Sequence, residues 1–86
     1  METNRERILR EGQSEIRVHR KGMWQRIVFT VKRIESPMGS YIVLFTDRLI
    51  DITEAARVAS EYDLPVETPS GTAFPKGKSA KDFASQ

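Results

Sequence analysis

Met23-Trp24-Gln25-Arg26-Ile27-Val28-Phe29-Thr30-Val31-Lys32-Arg33-Ile34 and, after a short break, Tyr41-Ile42-Val43-Leu44-Phe45-Thr46 are the stretches whose reading decides the fold. Both are rich in β-branched and aromatic residues, which suit a pleated surface, and both read as strands. Between them, Ser36-Pro37-Met38-Gly39 sets Pro and Gly where a tight turn uses them. Upstream, residues 14–20 alternate with a period of two, Ile16 and Val18 pointing one way and Glu15, Arg17 and His19 the other. Lys21-Gly22 is a turn signal, so 14–20 and 23–34 form a hairpin and the three strands an antiparallel meander.

Beyond the third strand, Asp47-Arg48 reads as a further turn, and Asp51-Ile52-Thr53-Glu54 supplies a helix N-cap with a carboxylate three residues on. The helix runs from about 52 to 62. Ile52, Ala55, Ala56, Ala59 and Tyr62 form its apolar stripe, while Glu54, Arg57, Ser60 and Glu61 face water. Pro65 forbids its continuation, and Leu64 to Glu67 has room for a short edge strand. From Thr68 the composition falls to Pro, Ser, Gly, Thr, Lys and Ala with isolated Phe74 and Phe83, which predicts a disordered tail over 68–86. On the N-terminal side, residues 2–11 are good helix formers, but only Ile8 and Leu9 are apolar. A helix this short is marginal unless docked, and Gly12 ends it. The expected fold class is α+β: a three- or four-stranded antiparallel β-meander with one packed helix at about 52–62. It forms a single small domain over 1–67, with 1–12 a marginal helix and 68–86 a flexible tail.

The chain has 86 residues, 38% hydrophobic and 30% charged, enough for one small polar domain. Its net charge of +2 hides an uneven distribution. Residues 1–35 hold nine Lys and Arg against five acids, 36–67 two against six, and 68–86 three against one. There is no cysteine, so disulfides, thiolate metal sites and cysteine nucleophiles are excluded. No apolar run approaches the ~18 residues of a membrane span, and no apolar leader precedes the first strand, so the expected setting is cytoplasmic and away from membranes.

Chemistry-bearing residues are sparse. His19 is the one histidine, with no serine or acid at a recognisable motif spacing, and reads as a solvated strand residue. Asp47 and Asp51 flank Leu49-Ile50 and read as a turn residue and a helix cap rather than a magnesium pair. The glycines at 12, 22, 39, 71 and 77 are single, so no phosphate-cradling loop is present. No catalytic, cofactor or metal residue is assigned, and the protein is read as non-enzymatic.

Two surfaces remain. Arg17, His19, Arg20, Lys21, Trp24, Arg26 and Lys32 place positive charge beside a stackable aromatic on the hairpin 15–33, the minimum set for binding nucleic acid. The other feature is two-sidedness: Ile27, Phe29 and Val31 oppose Trp24, Val28 and Ile34 in the second strand, and Ile42 and Leu44 oppose Tyr41, Val43 and Phe45 in the third. One helix covers one face only, so Trp24, Val28, Tyr41, Val43 and Phe45 are the expected interface of a homodimer. The sequence thus reads as a dimeric interaction module for a further protein partner, with nucleic-acid binding through the hairpin as the alternative.

Overall fold

The structure, a computed structural model, describes residues 1–84. In chain order it contains α1 (Asn4–Glu11), β1 (Gln13–Arg20), β2 (Met23–Ile34), β3 (Tyr41–Phe45), α2 (Ile52–Tyr62), β4 (Val66–Thr68) and β5 (Gly71–Ala73), then a 3-10 turn at Ala80–Asp82. The strands lie side by side in chain order in one five-stranded sheet. β1–β2, β2–β3 and β4–β5 are antiparallel, whereas β3–β4 is parallel. Parallel neighbours cannot be joined by a tight turn, and α2 supplies the crossover. The α+β class holds; the sheet is mixed and five-stranded rather than an antiparallel meander of three or four strands.

Local chemistry explains each element. Lys21 and Gly22 both adopt left-handed backbone, at φ of +54° and +79°, the conformation that lets a two-residue turn match the twist of β1 and β2. Ser36 and Gly39 exchange two backbone hydrogen bonds around Pro37-Met38, closing the β2–β3 connection. Thr3 and Glu6 cap α1 reciprocally, and Gly12 ends it in left-handed backbone with its N–H donating to the Ile8 carbonyl. Docking supplies the stability that this eight-residue helix lacks alone: Ile8 is fully buried, and Asn4 and Arg5 donate to the Glu61 and Asp63 carbonyls at the end of α2.

Both helices contribute to one core. Ile8, Ala55, Val58, Ala59 and Tyr62 pack with Ile16, Val18, Ile27, Phe29, Leu44, Val66 and Ala73 from a single face of the sheet. The buried stripe of α2 is rotated from the expected one. Val58 is buried and Ile52, at the first turn, is half exposed.

The C-terminal expectation is overturned. Val66–Thr68 is an internal strand between β3 and β5, not an edge, and of the tail expected over 68–86, residues 68–84 are not unstructured, while 85–86 lie outside the described residues. Thr68 Oγ1 accepts from the Ser70 N–H and donates to the Gly71 carbonyl, building the tight turn into β5. Further on, the Lys76 N–H donates to Ser60 Oγ, Lys78 pairs with Asp63 at 2.7 Å, and Phe83 stacks on Phe74. A few such anchors offset the ordering entropy of a segment whose composition is polar.

Candidate functional site

The register sorts the side chains of the sheet into two sets. Opposite the helices lie Glu15, Arg17 and His19 of β1, Trp24, Arg26, Val28, Thr30 and Lys32 of β2, and Tyr41, Val43 and Phe45 of β3. Cross-strand partners on this face include His19 with Trp24, Arg17 with Arg26, and Lys32 with Val43. Its two halves differ. Trp24 and Val28 are 54% and 49% exposed, whereas Tyr41 and Val43 are 7% and 0% exposed. The Phe74 ring lies 6.2 Å from that of Tyr41, and Phe83 in turn lies 6.4 Å from Phe74. The five-residue dimer face is therefore corrected: Tyr41 and Val43 are consumed by the chain's own fold, Phe45 is half-buried, and Trp24 and Val28 alone stand open.

Cations occupy the aromatic surfaces of the open half. The Arg17 guanidinium lies 5.0 Å from the Trp24 ring centre, that of Arg57 lies 5.6 Å from it, and His19 meets the ring edge-on at 5.3 Å. The Lys32 ammonium sits 4.0 Å from the centre of the Phe45 ring. Such contacts hold the cation in place, and a guanidinium lying on an indole keeps hydrogen-bond donors at its rim. Arg26, across from Arg17, is exposed. Of the sequence candidates for nucleic-acid contact, Arg17, His19, Trp24, Arg26 and Lys32 share this face, and Lys21 stands at the hairpin tip. Arg20 does not belong with them. It sits on the helix side of the sheet, its Nε donating to the Leu49 carbonyl at 2.7 Å and its Nη1 to Gln25, and it braces the loop before α2.

Two residues assigned to solvent by helical periodicity complete the site. β1 is an edge strand, and the His19 N–H donates to Glu54 Oε1 at 2.9 Å while the Arg17 carbonyl accepts from Arg57 Nη2 at 2.7 Å. Glu54 and Arg57 are themselves paired at 2.7 Å. Side chains of α2 thus satisfy edge groups that would otherwise invite another strand, and they anchor the backbone carrying Arg17 and His19. Burial pushes the Glu54 carboxyl up, but hydrogen bonds from Arg57 and the His19 N–H, with the Arg57 charge, outweigh it and leave the group below the ordinary glutamate value. No period-based reading finds this pair, because its partners lie 35 and 40 residues away in the chain. Asp51 accepts from the Glu54 N–H at 2.8 Å, the cap expected of it.

Shallow clefts flank the face. One of about 370 Å³ runs between Trp24, Arg17, Arg57 and Tyr62, and one of about 310 Å³ between Val28, Lys32, Phe45 and Asp47. Among the described residues, no group of three or more His, Asp or Glu is placed to hold a metal ion, and no helix is long and apolar enough to cross a membrane. In comparisons with known proteins, no family model, no curated protein and no solved structure matched the chain.

Proposed function

We propose that the protein is a small non-enzymatic binding module that takes single-stranded nucleic acid across the open half of its sheet. The observation that carries this reading is the register, which gathers Arg17, Arg26 and Lys32 with Trp24 and Val28 on one uncovered face. Three cations on an uncovered, twisted surface complement a phosphate backbone, and the exposed apolar side chains between them offer contact to unpaired bases. Arg17 is already laid on Trp24, so affinity comes mainly from phosphates, with Trp24 orienting the arginine rather than clamping a base. Glu15 and Asp47 rim the face and keep the binding moderate.

Exposure of Trp24 and Val28 favours a second reading, a homodimer stacked through the same face. Tyr41 and Val43 no longer contribute to it, and a two-fold stack would bring Arg17, Arg26 and Lys32 against their own copies, so this reading ranks second.

The test is titration of labelled single- and double-stranded oligonucleotides at two salt concentrations. Three phosphate contacts to a single strand give a slope near −2, so raising salt from about 50 to 200 mM weakens binding roughly 20-fold. Arg17→Glu/Arg26→Glu abolishes it while the unfolding transition stays in place. Salt-independent association, or a scattering mass of twice 9.8 kDa with no oligonucleotide bound, favours the dimer instead.

A further inference from the structure

Where the first turn of α1 approaches the end of β2 and the start of β3 lies a smaller cleft of about 200 Å³ lined by Arg5, Arg33, Ser40, Tyr41, Ile42, Leu64 and Phe83. Its two cations come from distant parts of the chain, the first turn of α1 and the end of β2. Among the described residues neither is paired with a carboxylate. The Arg5 Nε donates to the Asp63 carbonyl at 3.2 Å and the Arg33 Nη1 to Ser40 Oγ at 3.1 Å, both neutral oxygens. Each contact orients a guanidinium and leaves its other N–H donors available. Among the described residues no acid lines the cleft, and the nearby Asp63 carboxylate is paired with Lys78. Arg10 is paired with Glu2 and Arg57 with Glu54 and Glu61, whereas Arg5 and Arg33, like Arg20, are held by neutral oxygens.

We infer that this cleft is an anion site for a phosphate monoester. Two oriented guanidiniums with no counter-charge among the described residues match a dianion better than a single carboxylate, and a guanidinium fork fits phosphoryl oxygens two at a time. The volume admits a phosphoryl group and the first atoms of its substituent. Phe83, held by its stack on Phe74, forms an apolar wall for that substituent. The site is separate from the face formed by Arg17, Arg26 and Lys32, and its occupation does not depend on the nucleic-acid reading.

The experiment is a titration of the intact protein with inorganic phosphate, phenyl phosphate and acetate, followed by amide and arginine Nε–H NMR shifts. Saturable shifts centred on Arg5, Arg33 and Tyr41 are expected, with phenyl phosphate binding more tightly than phosphate and acetate at least tenfold more weakly. Arg33→Gln, an exposed strand residue whose loss leaves the fold intact, reduces phosphate affinity at least tenfold; Arg33→Lys recovers part of it, and Arg17→Glu/Arg26→Glu leaves it unchanged. Shifts that grow linearly over every arginine-bearing surface, acetate binding as tight as phosphate, or indifference to Arg33→Gln would each overturn the inference. Matched oligonucleotides with a 5′-phosphate or a 5′-hydroxyl then separate two sources of the same group. A tenfold preference for the phosphorylated strand identifies the ligand as a strand end, and equal affinity identifies it as a small phosphorylated molecule.

Discussion

The two halves of the sheet face that points away from the helices carry the same alternating pattern and end in opposite states. Around β3, Tyr41 and Val43 are sealed; around β1 and β2, Trp24 and Val28 remain open. Hydrophobicity does not separate them, since tryptophan and valine are as apolar as the residues that are covered. Reach separates them. The C-terminal segment returns along α2, anchored by Ser60 and Asp63, and carries Phe74 and Phe83 to the start of β3, while among the described residues Trp24 and Val28 of the hairpin stay about half exposed. On the uncovered half, arginines and a lysine rest on the aromatic rings instead, a cover that remains hydrated and open to an anion.

The largest expected effect lies on the sealed half. Phe74→Ala removes the ring that joins Tyr41 to Phe83; a core Phe→Ala costs about 3–5 kcal/mol, and for this half-buried site we expect about 2–3 kcal/mol by denaturant unfolding. A loss below 0.5 kcal/mol would mean that the C-terminal segment does not hold the β3 half closed.

Next comes the β1 edge. Glu54→Ala deletes the acceptor of the His19 N–H and the partner of Arg57, with an expected loss of about 1–2 kcal/mol and faster hydrogen exchange at His19. The same carboxyl sets a pH dependence. Its folded pKa lies below its unfolded value of about 4.3, so its contribution is fully present above that value and is lost as pH falls through the folded pKa. Glu54→Gln therefore flattens the stability profile below about pH 4.5 and not above it. An unchanged acid limb would show that the Glu54–Arg57 pair does not secure the edge.

Asp51→Ala removes the cap of α2 and costs about 1 kcal/mol without disturbing either half of the face. Trp24→Ala, on the open half, is expected to change stability by less than about 1 kcal/mol, because the ring is half exposed and its partners are hydrated cations. A cost as large as that of Phe74→Ala would erase the distinction between the halves.

Much of this was legible in the sequence. Period-two alternation places Ile16, Val18, Ile27 and Phe29 on one face and Trp24 and Val28 on the other, the Lys21-Gly22 and Ser36–Gly39 turns fall where expected, and α2 occupies 52–62. What escaped reading has physical causes. β4 and β5 are three residues each, too short for a period to show, and the Pro69-Ser70 turn between them has the composition of a disordered tail. The parallel pairing of β3 with β4 follows from a strand–helix–strand order, which is visible only once β4 is counted as a strand. Which apolar face is sealed depended on Phe74, a lone aromatic without periodic neighbours. At the site, alternation alone places Arg17, His19, Trp24, Arg26 and Lys32 together and sets Arg20 on the other face with Ile16 and Val18, whereas adding Glu54 and Arg57 required contacts across 35 and 40 residues of chain.

The central claim is that the open half of the face is the binding surface and the sealed half is not. Amide chemical-shift mapping during addition of a short single-stranded oligonucleotide at about 50 mM salt reads both halves at once. Shifts are expected to concentrate at Arg17, His19, Trp24, Arg26, Val28 and Lys32, with Tyr41 and Val43 silent and the pattern fading at about 200 mM salt. Shifts centred on Tyr41, Phe74 and Phe83, or none at all at millimolar oligonucleotide, would contradict it.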